Sequence, residues 1–395
     1  MTLDRIAAPA PDGILKLMRA FAEDPRPQKI DLGVGVYRTE AGETPVMAAV
    51  KRAERRIWEA ETTKSYTGLA GDPAFLTALR TLVLDQAVPD ARVAGVATTG
   101  GTGAVRQALE LARLANPSAS VWVSAPTWPN HLAILDATGQ RRRTYRYHDR
   151  ATGRLDRDGM RADLTQAAPG DAVLVHGCCH NPTGADLAPE DWAWLADLCA
   201  ERGLLPIVDL AYLGFGQTID DDAAGLRHLA AALPEMLICV SGSKNFGLYR
   251  DRVGAAFAVT PDPDICDRVA ARLADLNRRA YSFPPDHGAR LVTEILADPI
   301  LRASWEGELA GMRMRINAMR GALAEALWAE TGEDRFGFLA TGRGLFSLLP
   351  ASPAQMDRLR DEHAIYAVED GRINLAGLTP ATIGPAARAI AAVLA

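Results

Sequence analysis

Short apolar runs rich in β-branched residues alternate with amphipathic stretches through the middle of the chain. Seven such runs are candidate strands, at residues 93–98, 121–125, 142–147, 172–177, 205–210, 236–241 and 253–259. The stretches between them place apolar residues at helical spacing, as at 103–115 and 190–202. Because strands that alternate with helices form βαβ units, this order predicts a three-layer α/β fold with a mostly parallel, seven-stranded sheet.

A different pattern follows the last of these strands. Residues 299–331 carry one long helical pattern, and short strand and helix patterns then alternate around glycine-rich turns. We interpret this part as a second, smaller α+β domain. At the other end of the chain, the proline-rich segment 9–27 predicts an extended arm that contacts a partner subunit.

The charge balance excludes several classes of function. Lysine and arginine together number 43 and aspartate and glutamate 49, so the formal net charge is −6. This sign is wrong for a protein that wraps nucleic acid or binds an anionic membrane. No apolar stretch reaches the roughly 18 residues that a membrane helix needs, and residues 1–30 lack a secretory segment, so we expect a cytoplasmic protein.

The five cysteines favour neither a disulfide framework nor a metal site. Their number is odd, and Cys178 and Cys179 are adjacent, whereas structural zinc sites space their cysteine pairs along the chain. His176 and His180 lie beside them on an extended segment, where neighbouring side chains point to opposite faces. We therefore expect buried cysteines and no bound metal.

Lysine is rare in this sequence. The five lysines are Lys16, Lys29, Lys51, Lys64 and Lys244, so only one follows residue 64. Arginine carries surface charge equally well, but its pKa above about 12 prevents it from losing a proton or condensing with a carbonyl. Lys244 is therefore a candidate for chemistry that needs a neutral amine, although chance survival in an arginine-rich composition explains the count equally well.

Polar residues follow several of the predicted strands, where open α/β sheets bind their ligands. The segment 99–103 (TGGTG) presents backbone N–H groups at a predicted helix start, which suits a phosphate, and a tight turn that needs glycine explains it too. A P-loop lysine is absent, and Arg106 replaces the third glycine of the dinucleotide motif, so neither ATP nor NAD is favoured. Trp128 either stacks on a flat ring or packs at a turn.

The later strands deliver further reactive groups. Asp209 lies in an apolar run and needs a cationic partner, because an unpaired buried charge is costly. Tyr212 follows it, the strand 236–241 leads directly to Lys244, and Arg252 comes eight residues later. A lysine, a buried acid, a phosphate cradle, an aromatic plate and an arginine at one sheet edge together indicate pyridoxal phosphate bound as a Schiff base.

These residues stand within longer strings, and the strings carry a resemblance to a known family. They are LGVGVYR (32–38), SYTGLAG (65–71), TGGTGA (99–104), WPNH (128–131), HGCCHNPTGADL (176–187), DLAYLGFG (209–216), SGSKNFGLYRDRVG (241–254), YSFPPDHGA (281–289) and GRINLAGL (371–378). From about Asp31 to Thr379 the chain resembles the class I, fold-type I aminotransferases of the aspartate and aromatic amino acid subgroup. The resemblance implies ping-pong transamination between aspartate, tyrosine, phenylalanine or tryptophan and a 2-oxo acid such as 2-oxoglutarate or oxaloacetate.

The resemblance also implies roles for individual residues around pyridoxal phosphate. Lys244 forms the internal aldimine and moves the proton between Cα and C4′ of the cofactor. Asp209, supported by His131, keeps the ring nitrogen protonated, while Tyr212 and Asn181 donate hydrogen bonds to the phenolate oxygen. The implied phosphate ligands are Gly101, Thr102, Ser241, Ser243 and Arg252, with Tyr66 reaching in from the other subunit of a homodimer.

The substrate-binding residues follow from the same resemblance. The residues implied beside the substrate are Gly35, Trp128 (which also stacks on the cofactor ring) and Asn181. Arg372 binds the α-carboxylate through a bidentate fork, which lysine cannot match. Arg278 of the neighbouring subunit takes a side-chain carboxylate; counting back from the Tyr-Ser-x-Pro-Pro string favours it over Arg279.

The implied organisation has two parts. Residues 45–311 form a large cofactor-binding domain, and residues 1–44 with 312–395 form an N-terminal arm and a small domain that closes on the substrate. Phe283 replaces a polar residue common in aspartate-specialised enzymes and puts strict dicarboxylate specificity in doubt. Four residues near the entrance are closer to the aspartate type: Val36, Arg38, Thr44 and Ser65.

Three alternatives remain at this point. One is a strict aspartate aminotransferase, and another is a non-catalytic regulatory module that binds pyridoxal phosphate. The third is a serine acyl-transferase, because residues 241–244 match S-x-x-K, although the companion S-D-N and K-T-G motifs are absent.

Overall fold

The computed structural model describes residues 2–8 and 13–394 of the chain. Its strands, in chain order, are β1 (Ile30–Asp31), β2 (Val93–Thr99), β3 (Ser120–Ala125), β4 (Arg141–Arg146), β5 (His148–Asp149), β6 (Arg154–Leu155), β7 (Ala172–His176), β8 (Leu205–Leu210), β9 (Met236–Ser241), β10 (Val253–Val259), β11 (Phe346–Leu348), β12 (Ile365–Tyr366) and β13 (Arg372–Asn374). Its α-helices are α1 (Gly13–Glu23), α2 (Ala48–Ala60), α3 (Pro73–Leu84), α4 (Gly100–Ala115), α5 (Pro129–Ala137), α6 (Arg157–Leu164), α7 (Pro189–Arg202), α8 (Ile219–Ala232), α9 (Pro263–Ala280), α10 (His287–Ala297), α11 (Pro299–Thr331), α12 (Phe338–Thr341), α13 (Pro353–His363) and α14 (Pro380–Leu394).

A seven-stranded sheet forms the centre of the larger part. Its strand order is β2-β10-β9-β8-β7-β3-β4. Strands β7, β8 and β9 pair in parallel, as do β3 and β4 with each other, whereas β10 runs antiparallel to both β2 and β9. Every residue of β7, β9 and β10 is buried, which is typical of strands covered by helices on both faces. The predicted three-layer α/β fold with a mostly parallel sheet is confirmed.

Local signals explain where the long helix α11 begins and ends. The Asp298 carboxylate accepts hydrogen bonds from the backbone N–H groups of Ile300 and Leu301, at 2.8 and 2.9 Å. Pro299 occupies the first helical position, and Gly332 ends the helix in a left-handed conformation, with φ of 70°. These are the expected start and stop signals, so the observed bounds equal the predicted 299–331.

The sheet brings the carboxyl ends of several strands to one edge. His176 lies beside Asp209 in the β7–β8 register, and Asp209 lies beside Cys239 in β9. The antiparallel strand β10 joins β9 to β2, so the end of β2 reaches the same edge. This edge therefore collects the polar residues that follow β2, β8 and β9.

The N-terminal and C-terminal segments pack together in the smaller part. Strand β1 pairs in parallel with β12, and β11 pairs antiparallel with β13. The predicted extended arm at 9–27 is wrong for residues 13–23, which form α1; residues 9–12 lie outside the described residues. The prolines of this segment flank α1, so they leave its helical apolar spacing uninterrupted. Within the described part of the chain, no helix is both long and apolar enough to cross a membrane.

Candidate active site

A cavity of about 150 Å³ opens at the carboxyl edge of the sheet. The three residues predicted to be catalytic, Lys244, Asp209 and Tyr212, all line it. Asp209 and Tyr212 come from the end of β8 and the turn after it, and Lys244 comes from the turn after β9. Asp209 and Lys244 are 35 residues apart in sequence, so the parallel pairing of β8 with β9, rather than sequence proximity, brings these groups together.

One end of the cavity is a cradle of hydrogen-bond donors. The residues predicted to hold a phosphate all line this cavity: Gly101, Thr102, Ser241, Ser243 and Arg252. A Cβ on Gly101 would lie 2.8 Å from the Ser241 Cβ, so glycine is needed for α4 to approach β9 this closely. The Arg252 guanidinium lies against Gly100 and donates to Ser243 Oγ at 3.4 Å. A helix N-terminus beside hydroxyls and a guanidinium is suited to an anion.

The Lys244 amine sits inside the protein. Its Nζ lies 5.0 Å from the centroid of the Tyr212 ring. Burial lowers the pKa of Lys244 below its ordinary value, and the charge of Arg252 lowers it further, while Asp209 acts in the opposite direction. A larger fraction of this amine is therefore neutral near pH 7 than for a lysine on the surface.

Asp209 is a buried carboxylate with a histidine partner. The Asp209 Oδ2 lies 3.0 Å from His131 Nε2, and His131 Nδ1 lies 2.9 Å from Thr127 Oγ1. Burial raises the pKa of Asp209, but the hydrogen bond from His131 and the electrostatic influence of neighbouring groups, Lys244 among them, outweigh burial, so the net pKa is lowered. The carboxylate thus stays ionised. His131 lies behind the cavity wall, fully buried.

An aromatic wall and an amide complete the interior. Trp128 lines the cavity and meets the His131 ring edge-on, with ring centroids 5.2 Å apart. Asn181 lines it too, and its buried Oδ1 has no hydrogen-bond partner. Gly35 lies opposite, close to the Phe346 ring, because a Cβ on Gly35 would be 3.2 Å from the Phe346 Cζ. The cavity therefore contains all the predicted substrate-side residues that this chain supplies except Arg372.

Arg372 lies behind Phe346 in β13. Its guanidinium carbon is 4.5 Å from the centroid of the Phe346 ring, and its Nη2 donates to the Gly33 carbonyl at 2.9 Å. The buried Nε has no hydrogen-bond partner. Burial lowers the pKa of Arg372, although a guanidinium stays protonated near neutral pH. Arg372 is thus a buried cation with an unused donor.

The residues predicted to act on a partner subunit lie away from this chain's own cavity. Tyr66 is 83% exposed, and its ring stacks on Phe283 with centroids 4.6 Å apart. Arg278 is exposed and donates to Ser282 Oγ at 2.6 Å. Arg279 instead pairs with the Asp275 carboxylate at 2.7 Å. The Arg278 guanidinium therefore bonds to a hydroxyl of its own chain, whereas that of Arg279 bonds to a carboxylate.

Sequence reasoning missed three residues that line the cavity, namely His176, Ala211 and Tyr249. His176 is buried at 6% exposure, neither ring nitrogen has a hydrogen-bond partner, and burial lowers its pKa to about 3. The Tyr249 hydroxyl accepts a hydrogen bond from the Tyr37 backbone N–H at 3.0 Å. All three lie inside the sequence strings that carry the family resemblance. His176 and Tyr249 are polar residues of those strings to which no role had been assigned, and this could have marked them as candidates.

Two buried clusters have metal-type donor atoms within 4.8 Å of one another. They are His131, His176 and Asp209, and Cys178, Cys179 and Asp222. In the first, His131 and Asp209 already bond to each other; in the second, burial and the neighbouring thiol keep the pKa of Cys178 well above its usual range. All five cysteines are buried and free, as expected. The absence of a metal stays a prediction.

The donor set fits pyridoxal phosphate. The cradle at the start of α4 matches a phosphate, the ionised Asp209 matches a protonated ring nitrogen, and Trp128 offers a face to a flat ring. Lys244 supplies the amine that such a cofactor needs. Because residue 101 is glycine, no Cβ occupies the space beside Ser241 at this end of the cavity.

Comparisons with known proteins agree with this arrangement. The family model for class I and II aminotransferases matches residues 27–390. An aromatic-amino-acid aminotransferase of Paracoccus denitrificans is 50% identical over 388 residues, which cover 98% of each chain. An aspartate aminotransferase of Salmonella typhi is 44% identical over 391 residues, again 98% of each. The crystal structure of an aromatic-amino-acid aminotransferase from Burkholderia pseudomallei, covalently bound to pyridoxal phosphate, superposes with a TM-score of 0.97 at 42% identity and covers 100% of both chains.

Proposed function

The chain belongs to the class I and II aminotransferases, and from this premise we propose that it uses both aromatic and acidic amino acids as amino donors. It is a pyridoxal-phosphate-dependent aminotransferase that moves an amino group between an amino acid and a 2-oxo acid. The observation that carries the proposal for the site is the position of Lys244, a buried amine between the phosphate cradle and Asp209.

Lys244 acts as the residue that moves the reacting proton. When bound, pyridoxal phosphate supplies an aldehyde that carries the amino group and a ring that takes up electrons from the reacting carbon. The Lys244 Nζ accepts the proton released from the substrate Cα, which requires a neutral amine. Burial and the nearby Arg252 charge favour that neutral form, because both lower the pKa of Lys244.

Asp209 holds a proton on the ring nitrogen of the cofactor. A carboxylate can do this only while it is ionised, and the pKa of Asp209 is held low by His131 and neighbouring charges despite burial. His131 also orients the carboxylate, since its other nitrogen is fixed by Thr127 Oγ1. Tyr212 and Asn181, on the cavity wall, donate hydrogen bonds to the phenolate oxygen.

Two arginines bind the substrate's carboxylates. Arg372 takes the α-carboxylate, because its buried Nε is unused and a guanidinium matches a carboxylate with two parallel hydrogen bonds. Arg278 of a partner subunit takes the side-chain carboxylate of aspartate or glutamate. An aromatic side chain would occupy the same region only if this exposed arginine turned away, and Phe283, five residues along the same chain, would then add apolar surface.

A homodimer with shared sites is part of the proposal. Tyr66 and Trp58 are exposed by 83% and 80%, which is unusual for large aromatic residues unless another surface covers them. Tyr66 and Arg278 are also not among the residues that line this chain's own cavity. We also propose a cytoplasmic location, because the described cysteines are all unpaired, as in compartments that keep thiols reduced.

A substrate panel tests this function. We expect measurable kcat/KM with aspartate, glutamate, tyrosine, phenylalanine and tryptophan, each against 2-oxoglutarate. Activity with aspartate that exceeds every aromatic substrate by more than about 1,000-fold would instead identify a strict aspartate aminotransferase.

The matched pair Arg278→Ala and Arg279→Ala tests the distal carboxylate site. Losing a charge-assisted bond of about 2 to 3 kcal/mol lowers kcat/KM for aspartate by about 30-fold to 150-fold in Arg278→Ala. Phenylalanine loses less than about threefold, because it has no second carboxylate. Arg279→Ala leaves both substrates unchanged, since Arg279 is paired with Asp275. Equal losses for aspartate and phenylalanine in Arg278→Ala would reject the assignment.

A further inference from the structure

A fully buried arginine, Arg320, lies behind the substrate-binding residues. It projects from α11 and is 0% exposed. All of its hydrogen-bond acceptors are backbone carbonyls or a hydroxyl rather than a carboxylate. The acceptors are the carbonyls of Leu339 (3.0 Å), Arg343 (3.1 Å), Gly344 (2.9 and 3.0 Å) and Phe346, and Ser347 Oγ (2.8 Å).

These bonds gather the segment 343–347 around one guanidinium. A buried cation is costly without partners, and here six hydrogen bonds use every donor of the side chain. Burial lowers the pKa of Arg320 to about 10, so the group remains charged near neutral pH. The β11–β13 pairing and the hydrogen bond from the Leu375 N–H to the Leu345 carbonyl also hold this segment, and Arg320 adds hydrogen bonds to its carbonyls at positions 343, 344 and 346.

The same guanidinium also contacts the loop that carries Asn181. A Cβ on Gly184 would lie 2.4 Å from the Phe346 carbonyl oxygen and 3.0 Å from Arg320 Nη2. The Arg343 N–H donates to the Gly184 carbonyl at 2.8 Å. Arg320 thus joins the loop after β7 to the strand β11.

Phe346 connects this anchor to the carboxylate-binding group. Its carbonyl accepts from Arg320 on one side, while its ring lies against the Arg372 guanidinium, 4.5 Å away, on the other. The ring also meets Tyr212 edge-on, with centroids 6.0 Å apart. The Arg372 side chain donates one hydrogen bond, to Gly33, and its Nε is free, so contact with the Phe346 ring also limits the orientation of its guanidinium.

We propose that Arg320 is a positioning residue for substrate binding, which fixes Phe346 through its backbone and thereby orients Arg372 toward the α-carboxylate. The inference rests on the proposed role of Arg372. If Phe346 shifts, the Arg372 side chain becomes free to move. Binding of the α-carboxylate must then also order that side chain, which weakens the affinity. Because the carboxylate is held equally before and during the reaction, the change appears in KM rather than in kcat.

The test compares Arg320→Lys with Arg227→Lys in the holoenzyme. Lysine keeps the charge but cannot reach the same set of carbonyls. Arg227 is the control, because it too donates to carbonyls, those of Val83 and Leu82 at 3.0 Å, and does not line the cavity; it also pairs with Asp220 at 2.9 Å. We expect Arg320→Lys to raise KM for both the amino acid and 2-oxo acid by about tenfold, with kcat changed by less than about threefold. Arg227→Lys lowers Tm and leaves KM unchanged.

Two further readouts separate positioning from general destabilisation. The Kd of succinate, a dicarboxylate without an amine or ketone, is measured by calorimetric titration and rises by about tenfold in Arg320→Lys. The pH titration of the cofactor's visible absorbance reports whether the substitution also reaches Lys244, Tyr212 or Asn181; we expect it to stay unchanged, because Arg320 bonds to none of these side chains. Unchanged KM and succinate Kd in folded Arg320→Lys, or equal changes in Arg227→Lys, would overturn the proposal.

Two milder variants complete the experiment. If Arg320→Lys does not fold, Ser347→Ala removes one acceptor while Nη1 keeps its bond to Leu339, and we expect a two- to threefold rise in succinate Kd; no rise contradicts the proposal. In a Phe346→Leu background, Arg320→Lys adds less than about twofold to KM, and a full tenfold effect there contradicts the route through Phe346. If Arg372→Lys binds succinate like the parent enzyme, the carboxylate site itself is wrongly assigned.

Discussion

Asp209 shows how neighbouring groups determine the charge of a single buried residue. Burial alone raises the pKa of a carboxylate, yet His131 at 3.0 Å and the surrounding positive groups lower it overall. An apolar run around Asp209 was enough to predict that a cation must accompany it. Spacing alone did not identify the partner of Asp209, because His131 lies 78 residues away along the chain and is brought close by the packing of α5 on the sheet.

His131→Leu tests this balance through a pH profile. The pKa of Asp209 is depressed in the folded protein, so its charge is present above that pKa and lost as the pH falls through it. Without the hydrogen bond from His131, burial dominates and the loss occurs at a higher pH. We expect the acidic limb of kcat/KM to move up by about one pH unit, equal to about 1.4 kcal/mol.

His131→Gln is the control for that experiment, because its amide can also donate a hydrogen bond to the Asp209 carboxylate. It recovers part of the shift in the acidic limb. An acidic limb at the same pH in His131→Leu and the parent enzyme would show that His131 does not maintain the Asp209 charge.

His176 illustrates what residue-level reasoning could not supply. Its sequence neighbours suggested a Cys/His cluster, and its role as a cavity residue depends on its register partner Asp209 in β8. Both nitrogens are buried and unpartnered, so the ring stays neutral beside the ionised carboxylate. The position of His176 in the cavity is set by the pairing of β7 with β8, which α7 separates in sequence.

At the scale of elements, the pattern of apolar and polar residues along the chain predicted most of the fold. The seven strands of the central sheet were predicted to within one residue at their ends, because buried β-branched runs carry a strong signal. The helix α1 was missed because the prolines near it were given more weight than its helical apolar spacing. Very short strands such as β1 and β12 exist through tertiary pairing, which no local pattern reports.

The approach of α4 to β9 depends on glycine and can be tested with Gly101→Ala. A Cβ there meets the Ser241 Cβ at 2.8 Å, which forces the helix start away from the cradle. We expect the affinity of the cofactor-free protein for pyridoxal phosphate, measured by absorbance titration, to fall by about tenfold, since phosphate hydrogen bonds lengthen.

Gly307→Ala in α11 is the matched control, because a Cβ at Gly307 has no atom within 4 Å. It raises the free energy of unfolding by about 0.5 to 1 kcal/mol and leaves the cofactor affinity unchanged. The same affinity in Gly101→Ala and the parent protein would show that close approach of α4 is not needed for binding.

At the scale of the whole molecule, the division into 45–311 and 1–44 with 312–395 stays a prediction. The pairing of β1 with β12 joins the two chain ends as that division requires. The helix α11 runs through the proposed boundary at residue 311 without a break. Sequence pattern could not fix this boundary, because one continuous helix belongs to both parts.

Hybrid dimers test the sharing of active sites between subunits. A subunit with Lys244→Ala and one with Arg278→Ala are each poor with aspartate, but their hybrid contains one complete site if Arg278 acts on the neighbouring subunit. After random reassortment, about half of the dimers are hybrids, so we expect about a quarter of the parent activity. Activity no higher than the average of the two unmixed variants would show that Arg278 does not act across subunits.

The central claim is that the Lys244 amine bonds the cofactor, and peptide mapping tests it most directly. The holoenzyme is reduced with borohydride and digested, and the peptides that carry a phosphopyridoxyl group are identified by mass spectrometry. The sequence offers only five lysines as acceptors. We expect the label on Lys244 alone, because Lys244 is the lysine that lines the cavity. A label on Lys16, Lys29, Lys51 or Lys64, with Lys244 unmodified, would contradict it.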